Sequence, residues 1–352
     1  MNILLVDNGA LEEEWLNVTS KILDKNPYRP FMPVNDVKNI FDRNKNSFLA
    51  NGNIARWILY DDYNLCCGRI AGYYHSQTHS GRIGFFECLN NYACAKELLN
   101  VAKNWLATQG CNQIIAPVNF GEKDRYWGLL TEGFFTKGLY MDNFNPPYYQ
   151  TFFEAFGFCA HEKIITYKLL PDKIPAARLK SISEYSEKKY GFTYRQFSWK
   201  EIEKFVCDIH AIYTASFLAS TRIVHITQND IRHLFEQIKP LLSEQHFLIA
   251  YCDSKPVGFL AFLHEPSMPA SSHQRMVKSL KGFAIATIPL VRAKGVEAGL
   301  CNKLYETLSD SGNEYEIFLS GINAITRKMH SFIKKLGGEQ YKVHQTFIYK
   351  TE

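Results

Sequence analysis

Hydrophobic positions change period several times along the first half of the chain, and each change predicts a new element. Three apolar runs between turn residues predict strands at 55–62, 64–75 and 82–89. Apolar residues then recur at helical spacing from Ala95 to Leu106, and Gly110 stands where a helix commonly ends. The last elements predicted in this half are a strand at 112–120, a short helix at 148–158 closed by Gly157, and a strand at 162–169.

The second half of the chain repeats this order of elements. Strands are predicted at 192–197, 246–253, 256–265, 283–290, 314–321 and 341–350, and helices at 200–217, 226–242, 296–309 and 326–338. Thr227 precedes one helix where an N-cap residue belongs. Each half therefore predicts an α/β (α+β) fold with a mixed sheet. We place the domains at 1–170 and 192–352, joined by a charged, proline-containing linker at 171–191 in which a short helix is the alternative.

Composition narrows the classes of protein that remain. The chain has 352 residues, enough for two domains, and a net charge of +5 with no block of like charge. This small excess does not indicate nucleic-acid binding, although an anionic small ligand is compatible with it. The N-terminus lacks a signal-peptide pattern, no apolar stretch would span a bilayer, and nine cysteines show no CxxC pair. We expect a reduced, cytoplasmic protein without a membrane segment or a metal.

The stretch PLVRAKGVEAGL (289–300) lies between an apolar strand and an amphipathic helix. A helix N-terminus leaves backbone N–H groups unpaired and carries partial positive charge, and glycine allows a close approach of the backbone. Arg292 and Lys294 add formal positive charge beside Gly295. The segment therefore predicts a phosphate-binding turn. The alternative is an ordinary turn from strand to helix.

This turn, in this order of elements, resembles the GNAT acetyltransferase superfamily, whose coenzyme A turn reads R/Q-x-x-G-x-G/A. The match runs from Arg292 through Gly295 to Glu297, and Pro289 also fits. The resemblance implies acetyl-coenzyme A, or another acyl-coenzyme A, as cosubstrate. The residues implied to bind it are Ile288, Arg292, Ala293, Lys294, Gly295, Val296, Glu297 and Ala298. It also implies that strand 285–288 pairs with the pantetheine arm and that a backbone N–H near Ile288 polarises the thioester carbonyl.

Glu297 departs from the superfamily pattern, which has glycine or alanine at this position. Two like charges about 4 Å apart repel by roughly 1 kcal/mol in water and about 4 kcal/mol at an effective dielectric near 20. Either the side chain turns away and complements the helix dipole, or the site has lost affinity for coenzyme A. The sequence leaves both readings open.

The first half resembles the same fold but lacks the turn, so we expect no coenzyme A site there. Its segment 119–158, with GLLTEGF and NPPYY, is similar to a family of bacterial proteins with two GNAT-like halves and no firmly assigned substrate. A long loop inside a compact domain is often functional. The loop 119–147, including charged residues 122–125, is either an acceptor-binding surface or a solvated loop anchored by its aromatics. The substrate-binding candidates are Asn119, Tyr126, Trp127 and, on the helix 200–217, Tyr213.

Catalytic residues are harder to assign. Aligned with the superfamily, Ile333 stands where a tyrosine acid is usual, and strand 283–288 carries no acidic residue. Ser320 and Asn323, at the end of a strand, are the catalytic candidates, although both are ordinary turn formers. Positioning of the reactants with a water relay is a further route.

The leading hypothesis is an acyl-coenzyme A-dependent N-acyltransferase acting on a small-molecule or peptide amine. One alternative is a degenerate GNAT-fold protein that binds a ligand or partner. Another is a transferase for aminoacyl or long acyl groups, and the modest charge weighs against a tRNA donor.

Overall fold

A computed structural model describes residues 1–23, 26–30, 32–121, 125–217, 226–266 and 277–350. The strands are β1 (Asn2–Leu5), β2 (Gly52–Tyr60), β3 (Cys66–His75), β4 (Ser80–Cys88), β5 (Gln113–Ala116), β6 (Leu129–Glu132), β7 (Cys159–Leu169), β8 (Phe192–Gln196), β9 (Phe247–Cys252), β10 (Lys255–His264), β11 (Lys278–Thr287), β12 (Tyr315–Asn323) and β13 (Glu339–Lys350). The α-helices are α1 (Gly9–Leu23), α2 (Val34–Phe41), α3 (Tyr92–Thr108), α4 (Tyr148–Phe156), α5 (Ala176–Tyr190), α6 (Ile202–Phe217), α7 (Gln228–Ile238), α8 (Val296–Asp310) and α9 (Arg327–Lys335).

The predicted α/β class is confirmed, and so are one signal that ends a helix and one that begins a helix. Gly157 ends α4 in the left-handed conformation at φ 105°. Thr227 caps α7 in a capping box, in which its side chain accepts from the Asp230 amide and Asp230 accepts from the Thr227 amide. The pattern did not predict β1, α1, α2 or β6, because these elements are short or lie in segments without clear periodicity.

The chain divides into two compact units. Unit 1 contains Met1–Thr166, Gly321–Thr326 and Gln340–Glu352, and unit 2 contains Tyr167–Ser320 and Arg327–Glu339. This division differs from the predicted one at the C-terminal end, since β13 belongs largely to unit 1. There it pairs antiparallel with β5, with Phe347 opposite Ala116. Strand alternation alone does not say which half of a two-unit chain a terminal strand joins.

Unit 1 is built on a sheet with the strand order β1-β2-β3-β4-β5-β13, and β6 also pairs with β13. One face packs against α3 and α4 through a core that includes Trp57, Leu98 and Phe153. The other face packs against α1 and α2 through Trp15, Ile58 and their neighbours. The alternation along β2 therefore sends successive side chains to opposite helical layers.

Unit 2 has the strand order β8-β9-β10-β11-β12, with β11 and β12 parallel. Helices α5 and α8 cover one face, and α6 and α7 cover the other. The predicted linker 171–191, for which only a short helix was considered, contains the 15-residue α5, and Leu179 of this helix is buried in the core of unit 2. A helix with only a narrow apolar stripe has a mostly polar sequence, but the stripe is enough for that side of the helix to pack against the core.

A buried histidine, His246, directly precedes β9 in unit 2 and contacts the half-buried His264 at the end of β10. His246 is 1% exposed, and within the described chain neither of its ring nitrogens has a hydrogen-bond partner. Its ring lies 4.9 Å from that of His264 and 6.0 Å from that of Tyr315. Burial, then the positive charge of His264 and Lys278, lowers the pKa of His246 from 6.5 to about 4. Folding therefore holds this imidazole neutral.

We expect unit 2 to lose stability as the pH falls from about 6.5 to about 4. In this window the unfolded chain binds a proton that the folded His246 refuses, so stability rises with pH. His246→Phe removes this contribution. Between pH 7 and 4.5 we expect the free energy of unfolding of the variant to fall by about 2 kcal/mol less than that of the wild type. Urea unfolding, resolved by hydrogen exchange on β9 peptides, measures the difference. Parallel pH profiles for the two proteins would contradict the assignment.

Candidate functional site

The edge of β11 opens part-way along its length in unit 2. Its parallel pairing with β12 runs from Lys278 opposite Tyr315 to Gly282 opposite Leu319. Beyond Gly282, β11 continues to Thr287 and keeps its antiparallel partner β10 on the other side, with Thr287 opposite Gly258. Within the described chain, one backbone edge of β11 is therefore without a strand partner in its last five residues.

Backbone N–H and C=O groups of β11 point alternately to β10 and to the open edge. The Ile288 amide donates to the Val257 carbonyl at 2.9 Å, so it points toward β10. Because the direction alternates along a strand, the N–H and C=O groups of Ile285 and Thr287 point to the open edge. The Ile288 amide itself is therefore occupied by β10, and the expectation of a thioester-polarising N–H near Ile288 stays a prediction for its neighbours. The outward amides belong to Ile285 and Thr287.

The turn that follows ends at an uncapped helix. Residues Pro289–Val291 form a 3-10 turn, Ala293 has φ 62°, and Gly295 is the N-cap of α8 at φ 91°. Gly295 has no side chain to bond the first-turn amides of Val296, Glu297 and Ala298, which have no partner within the helix. These amides and the helix dipole favour an anion at this point.

The two cations of the turn differ in their surroundings. Arg292 is exposed, and its Nη2 donates to the Ser216 carbonyl at 3.1 Å. Lys294 is half-buried, and its Nζ lies 5.5 Å from the centre of the Tyr190 ring on α5. Both side chains thus add positive charge beside the start of α8. An exposed arginine keeps most of its donors available for a phosphate.

Helix α5, the segment predicted as a linker, forms one wall of this turn. A Cβ atom on Gly295 would lie 3.1 Å from Ser186 Cβ and 3.2 Å from Ile182 Cγ2, and its φ is in the left-handed region. Glycine is therefore needed at 295 for the backbone conformation and for the packing of α5. A larger residue there would disturb both the turn and the helix that covers it.

The carboxylate of Glu297 is held by the strand rather than left facing the amides. Thr287 Oγ1 donates to Glu297 Oε1 at 2.8 Å, which draws the side chain toward the end of β11. Burial, then the charge of Glu297, raises the pKa of Cys301 one turn further along α8 to about 12. The structure thus shows a fixed negative charge between the end of β11 and the first turn of α8.

Ser216 is a site residue that the sequence did not predict. Its Oγ donates to the outward carbonyl of Thr287 at 3.0 Å, and its own carbonyl accepts from Arg292. It therefore ties the end of α6 both to the open edge and to the turn. No motif signals this role, because serine near a helix C-terminus is common.

The corresponding place in unit 1 is closed by its own chain. Beyond Arg82, where the pairing of β4 with β5 ends, the Val118 amide bonds to the Ile83 carbonyl. At the end of β4, the Cys88 amide donates to Tyr149 Oη at 2.7 Å, and Tyr148 Oη donates to the Cys88 carbonyl at 3.0 Å. The NPPYY segment thus occupies the backbone groups of this strand end.

The helix after β4 is also capped, unlike α8. Asn91 Oδ1 accepts from the Ala93 amide at 2.9 Å, which satisfies one of the first-turn donors of α3. Neither a glycine nor a cation precedes this helix. This helix start therefore has fewer groups with which to bind an anion than the start of α8.

The loop residues predicted to bind substrate lie in unit 1, and two of them are buried. Asn119 is 2% exposed and its Oδ1 accepts from the Phe120 amide, while Tyr126 is 5% exposed. Burial raises the pKa of Tyr126. The centre of the Trp127 ring lies 5.6 Å from Cζ of Arg82. These contacts favour the alternative of a loop anchored by its aromatics, and Glu122, Lys123 and Asp124 lie outside the described residues.

The remaining predicted residues fall at different places. Tyr213 is half-buried on α6. Ser320 is half-buried in unit 2, directly after Leu319, the last residue of β12 that pairs with β11. Asn323 belongs to unit 1, where its Oδ1 accepts from the Ile325 amide in an ordinary turn. Ile333, aligned with the superfamily tyrosine, is 1% exposed in unit 2.

Two broader features of the described residues bear on the class of protein. They contain no group of three or more His, Cys, Asp or Glu side chains that could hold a metal ion. No helix among them has the length and apolarity needed to cross a membrane.

Comparisons with known proteins agree with this geometry at the level of fold. No family model matches the chain. A tandem GNAT protein from the clavulanic acid biosynthesis pathway superposes with a TM-score of 0.63 at 10% identity, covering 99% of this chain and 98% of that one. A GCN5-related N-acetyltransferase from Sphaerobacter thermophilus gives a TM-score of 0.58 at 9% identity, covering 99% and 95%. The chain therefore has the tandem GNAT fold, as its sequence led us to expect.

A relative was also found by sequence. Protein YghO of Escherichia coli (strain K12) is 21% identical over 289 residues, which is 76% of this chain and 73% of that protein.

Proposed function

We propose that this protein is an acyl-coenzyme A-dependent N-acyltransferase, with acetyl-coenzyme A as the first donor to test and an amine, on a small molecule or peptide, as acceptor. The observation that carries the proposal is the open edge of β11, which leads directly into an uncapped helix N-terminus with two cations. The first-turn amides of α8 could bind an anion, and the open edge of β11 could bind an extended chain that carries amides. The fold shared with GNAT-type acetyltransferases adds to this argument.

In the proposed complex the pyrophosphate binds the amides of the first turn of α8, with Arg292 and Lys294 beside it. The pantetheine arm then runs back along β11, away from the turn. The outward Thr287 amide would bind an amide of the arm, and the outward Ile285 amide, farther from the turn, would polarise the acyl carbonyl. Ser216 Oγ would have to release the Thr287 carbonyl if the arm is to use it as an acceptor.

The reaction requires few groups beyond this positioning. The neutral amine attacks the carbonyl carbon, the C–N bond forms, the C–S bond breaks, and the proton lost by nitrogen ends on the departing thiolate. Ser320, which follows the point where β11 and β12 stop pairing, is the candidate to pass that proton, directly or through water. We assign no such role to Asn323, because its side chain already forms a turn.

We further propose that unit 1 does not bind coenzyme A. The tyrosines of NPPYY already satisfy the end of β4, and Asn91 already caps α3. A second molecule of donor would have to displace these intramolecular bonds. Saturation of the protein at one donor per chain is the expected result.

Isothermal titration of acetyl-coenzyme A tests the proposal with a charge-reversal variant. We expect binding by the wild type, and at least tenfold weaker binding by Lys294→Glu with a smaller dependence on salt. Lys180→Glu, on the exposed side of α5 beside Glu184, is the matched control and should bind as the wild type does. Substitution of Gly295 is less informative, because it would also disturb α5. No binding by the wild type at millimolar donor would refute the proposal.

Two observations favour a second candidate, a GNAT-fold protein that binds a ligand without catalysis. The fixed carboxylate of Glu297 lies at the phosphate-binding turn, and Ile333 is buried where the superfamily has a tyrosine. Transfer to amine acceptors, followed by release of free thiol, distinguishes an enzyme from such a binding protein.

A further inference from the structure

A groove on unit 1 follows the free edge of β2. Strand β1 pairs with β2 only from Tyr60 to Trp57, and the Val6 amide makes the last bond, to the Arg56 carbonyl at 2.9 Å. Beyond this point β2 continues to Gly52, and no strand of the described chain pairs with that edge. A cavity of about 710 Å³ lies along it, between the last turns of α3 and the end of α2.

The backbone of this edge has one unused pair of hydrogen-bonding groups. Since the Arg56 carbonyl points to β1, strand alternation directs the N–H and C=O of Ile54 and Gly52 to the same side. The Gly52 carbonyl is taken by Arg43 Nη2 at 3.0 Å. Ile54 therefore offers a donor and an acceptor at the centre of the groove, in line with the bonds that β1 makes.

The two walls of the groove differ in chemistry. The wall on the α3 side is formed by the apolar and aromatic Trp57, Val101 and Trp105 together with the uncharged polar Asn104 and Thr108, and the centres of the two indole rings are 5.7 Å apart. The wall on the α2 side carries Arg43 and Arg56 beside Phe41. Among the described residues that line the groove these two arginines are the charged ones, and no aspartate or glutamate lines it.

Part of this positive charge remains available. Arg56 Nη1 binds Glu12 at 2.8 Å, and Arg43 donates to the carbonyls of Leu49 and Gly52. Each guanidinium has five N–H donors, so these bonds leave several unused. The α2 wall is therefore suited to carboxylates, while the α3 wall is suited to apolar side chains.

We propose that this groove binds an extended acidic peptide by adding it as a strand to the edge of β2. An added strand alternates its side chains between the two faces of the sheet. Apolar residues would face Trp57 and Trp105, and acidic residues would face Arg43 and Arg56. The peptide runs antiparallel to β2, as β1 does, so the residue opposite Ile54 is acidic and its own N–H points to β2. This inference concerns unit 1 alone and does not depend on acyl transfer.

The alternation of the peptide is the sharpest test. The probe is a fluorescein-labelled hexapeptide, Val-Glu-Val-Glu-Val-Glu, followed by anisotropy against the full chain. The control is Val-Val-Val-Glu-Glu-Glu, which has the same composition and charge without the alternation. We expect the alternating peptide to bind at least tenfold more tightly. Equal binding of the two peptides, or no binding of either at millimolar protein, would overturn the proposal.

Backbone pairing is tested on the peptide, so that the fold of the protein is unaffected. N-methylation of the central glutamate should abolish binding, because that N–H points to Ile54, whereas N-methylation of the central valine should be tolerated. If neither change weakens binding, strand addition is wrong. If indole-3-acetate saturates a change in tryptophan fluorescence while the alternating peptide does not bind, the groove is a small-molecule pocket and the proposal is also overturned.

Charge variants on the protein complete the test. Arg43→Glu should weaken the alternating peptide at least tenfold, and Lys45→Glu, on the same turn and outside the groove lining, should not. Because Arg43 also supports the carbonyls of Leu49 and Gly52, Asn104→Glu serves as a second variant. Asn104 is exposed on α3 and lines the groove, so a carboxylate there should also repel the probe. Unchanged binding by both variants would contradict the assignment.

Discussion

Glu87→Ala is expected to lower the free energy of unfolding of unit 1 by about 3–5 kcal/mol, because it breaks a buried ion pair and leaves one charge behind. Glu87 is 7% exposed, and Arg69 is 2% exposed on the neighbouring strand. Their charged groups are 3.9 Å apart, and Thr19 and Tyr149 donate to the two carboxylate oxygens at 3.1 and 3.0 Å. Removing the carboxylate would leave a buried guanidinium without its counter-charge.

Within the described chain, the surroundings of Arg69 offer no other carboxylate that could replace that of Glu87 as its counter-charge. Its Nη1 donates to the Trp15 carbonyl at 2.7 Å, and its guanidinium lies 4.3 Å from the centre of the Trp15 ring. Burial lowers the pKa of Arg69 to about 10, and the nearby carboxylate of Glu87 opposes this shift by favouring the charged guanidinium. A charge at this depth is costly unless it is paired.

The measurement is urea unfolding of the full chain, with hydrogen exchange on β3 and β4 peptides to localise the effect. Arg69→Met combined with Glu87→Leu removes both charges and should recover most of the loss, since apolar replacements of buried ion pairs are often neutral. Lys163→Ala breaks an exposed pair with Glu132 in the same unit and should cost at most about 1 kcal/mol. A loss below about 1 kcal/mol for Glu87→Ala would show that the pair is not the stabilising feature.

Periodicity predicted most elements after residue 55, with β6 and α5 as exceptions, but it did not predict long-range pairing. The strands and helices predicted from 55 to 350 lie where the structure has them within a few residues, because each carries its own apolar pattern. The assignment of β13 to unit 1 depends on pairing with β5, more than 200 residues away, to which no local pattern points.

Helix α5 was considered only as a short helix within a linker, although the signal for a longer helix was present. Leu179, Ile182 and Ser186 recur at helical spacing and form the side that packs on the core and on Gly295. The two prolines and the many charges around this stripe hid it. Searching polar segments for a narrow stripe would have found the helix.

The turn at the start of α8 and its glycine could be found from sequence, but the direction of the backbone amides before it could not. The sequence placed the thioester-polarising amide only near Ile288, whereas the hydrogen bonds direct the amides of Thr287 and Ile285, and not that of Ile288, to the open edge. A period of two makes a shift of one residue reverse the direction of every backbone group. The bond from Ile288 to Val257 fixes that parity, and it depends on the register between β10 and β11.

Glu297→Ala is expected to tighten the binding of acetyl-coenzyme A about tenfold, which corresponds to about 1.4 kcal/mol. In the proposed complex the carboxylate, held by Thr287 at 2.8 Å, stands near a pyrophosphate of the same sign. A repulsion between roughly 1 and 4 kcal/mol covers the range from bulk water to a partly buried pair about 4 Å apart. The gain should shrink as salt is added, because the charges are screened.

Two further variants and one shortened ligand distinguish the effect of the negative charge at 297 from the effect of side-chain size. Glu297→Gln keeps the size of the side chain and an acceptor for Thr287, so it should tighten binding as alanine does if charge is the cause. Glu306→Ala, on the same helix two turns or more from the phosphate-binding amides, should leave affinity unchanged. S-acetylpantetheine lacks the pyrophosphate and should gain nothing from either change at 297. If Glu297→Ala tightens binding and Glu297→Gln does not, the effect comes from the space that the smaller side chain leaves. If neither variant binds more tightly, the hydrogen bond from Thr287 already keeps the carboxylate away from the phosphate.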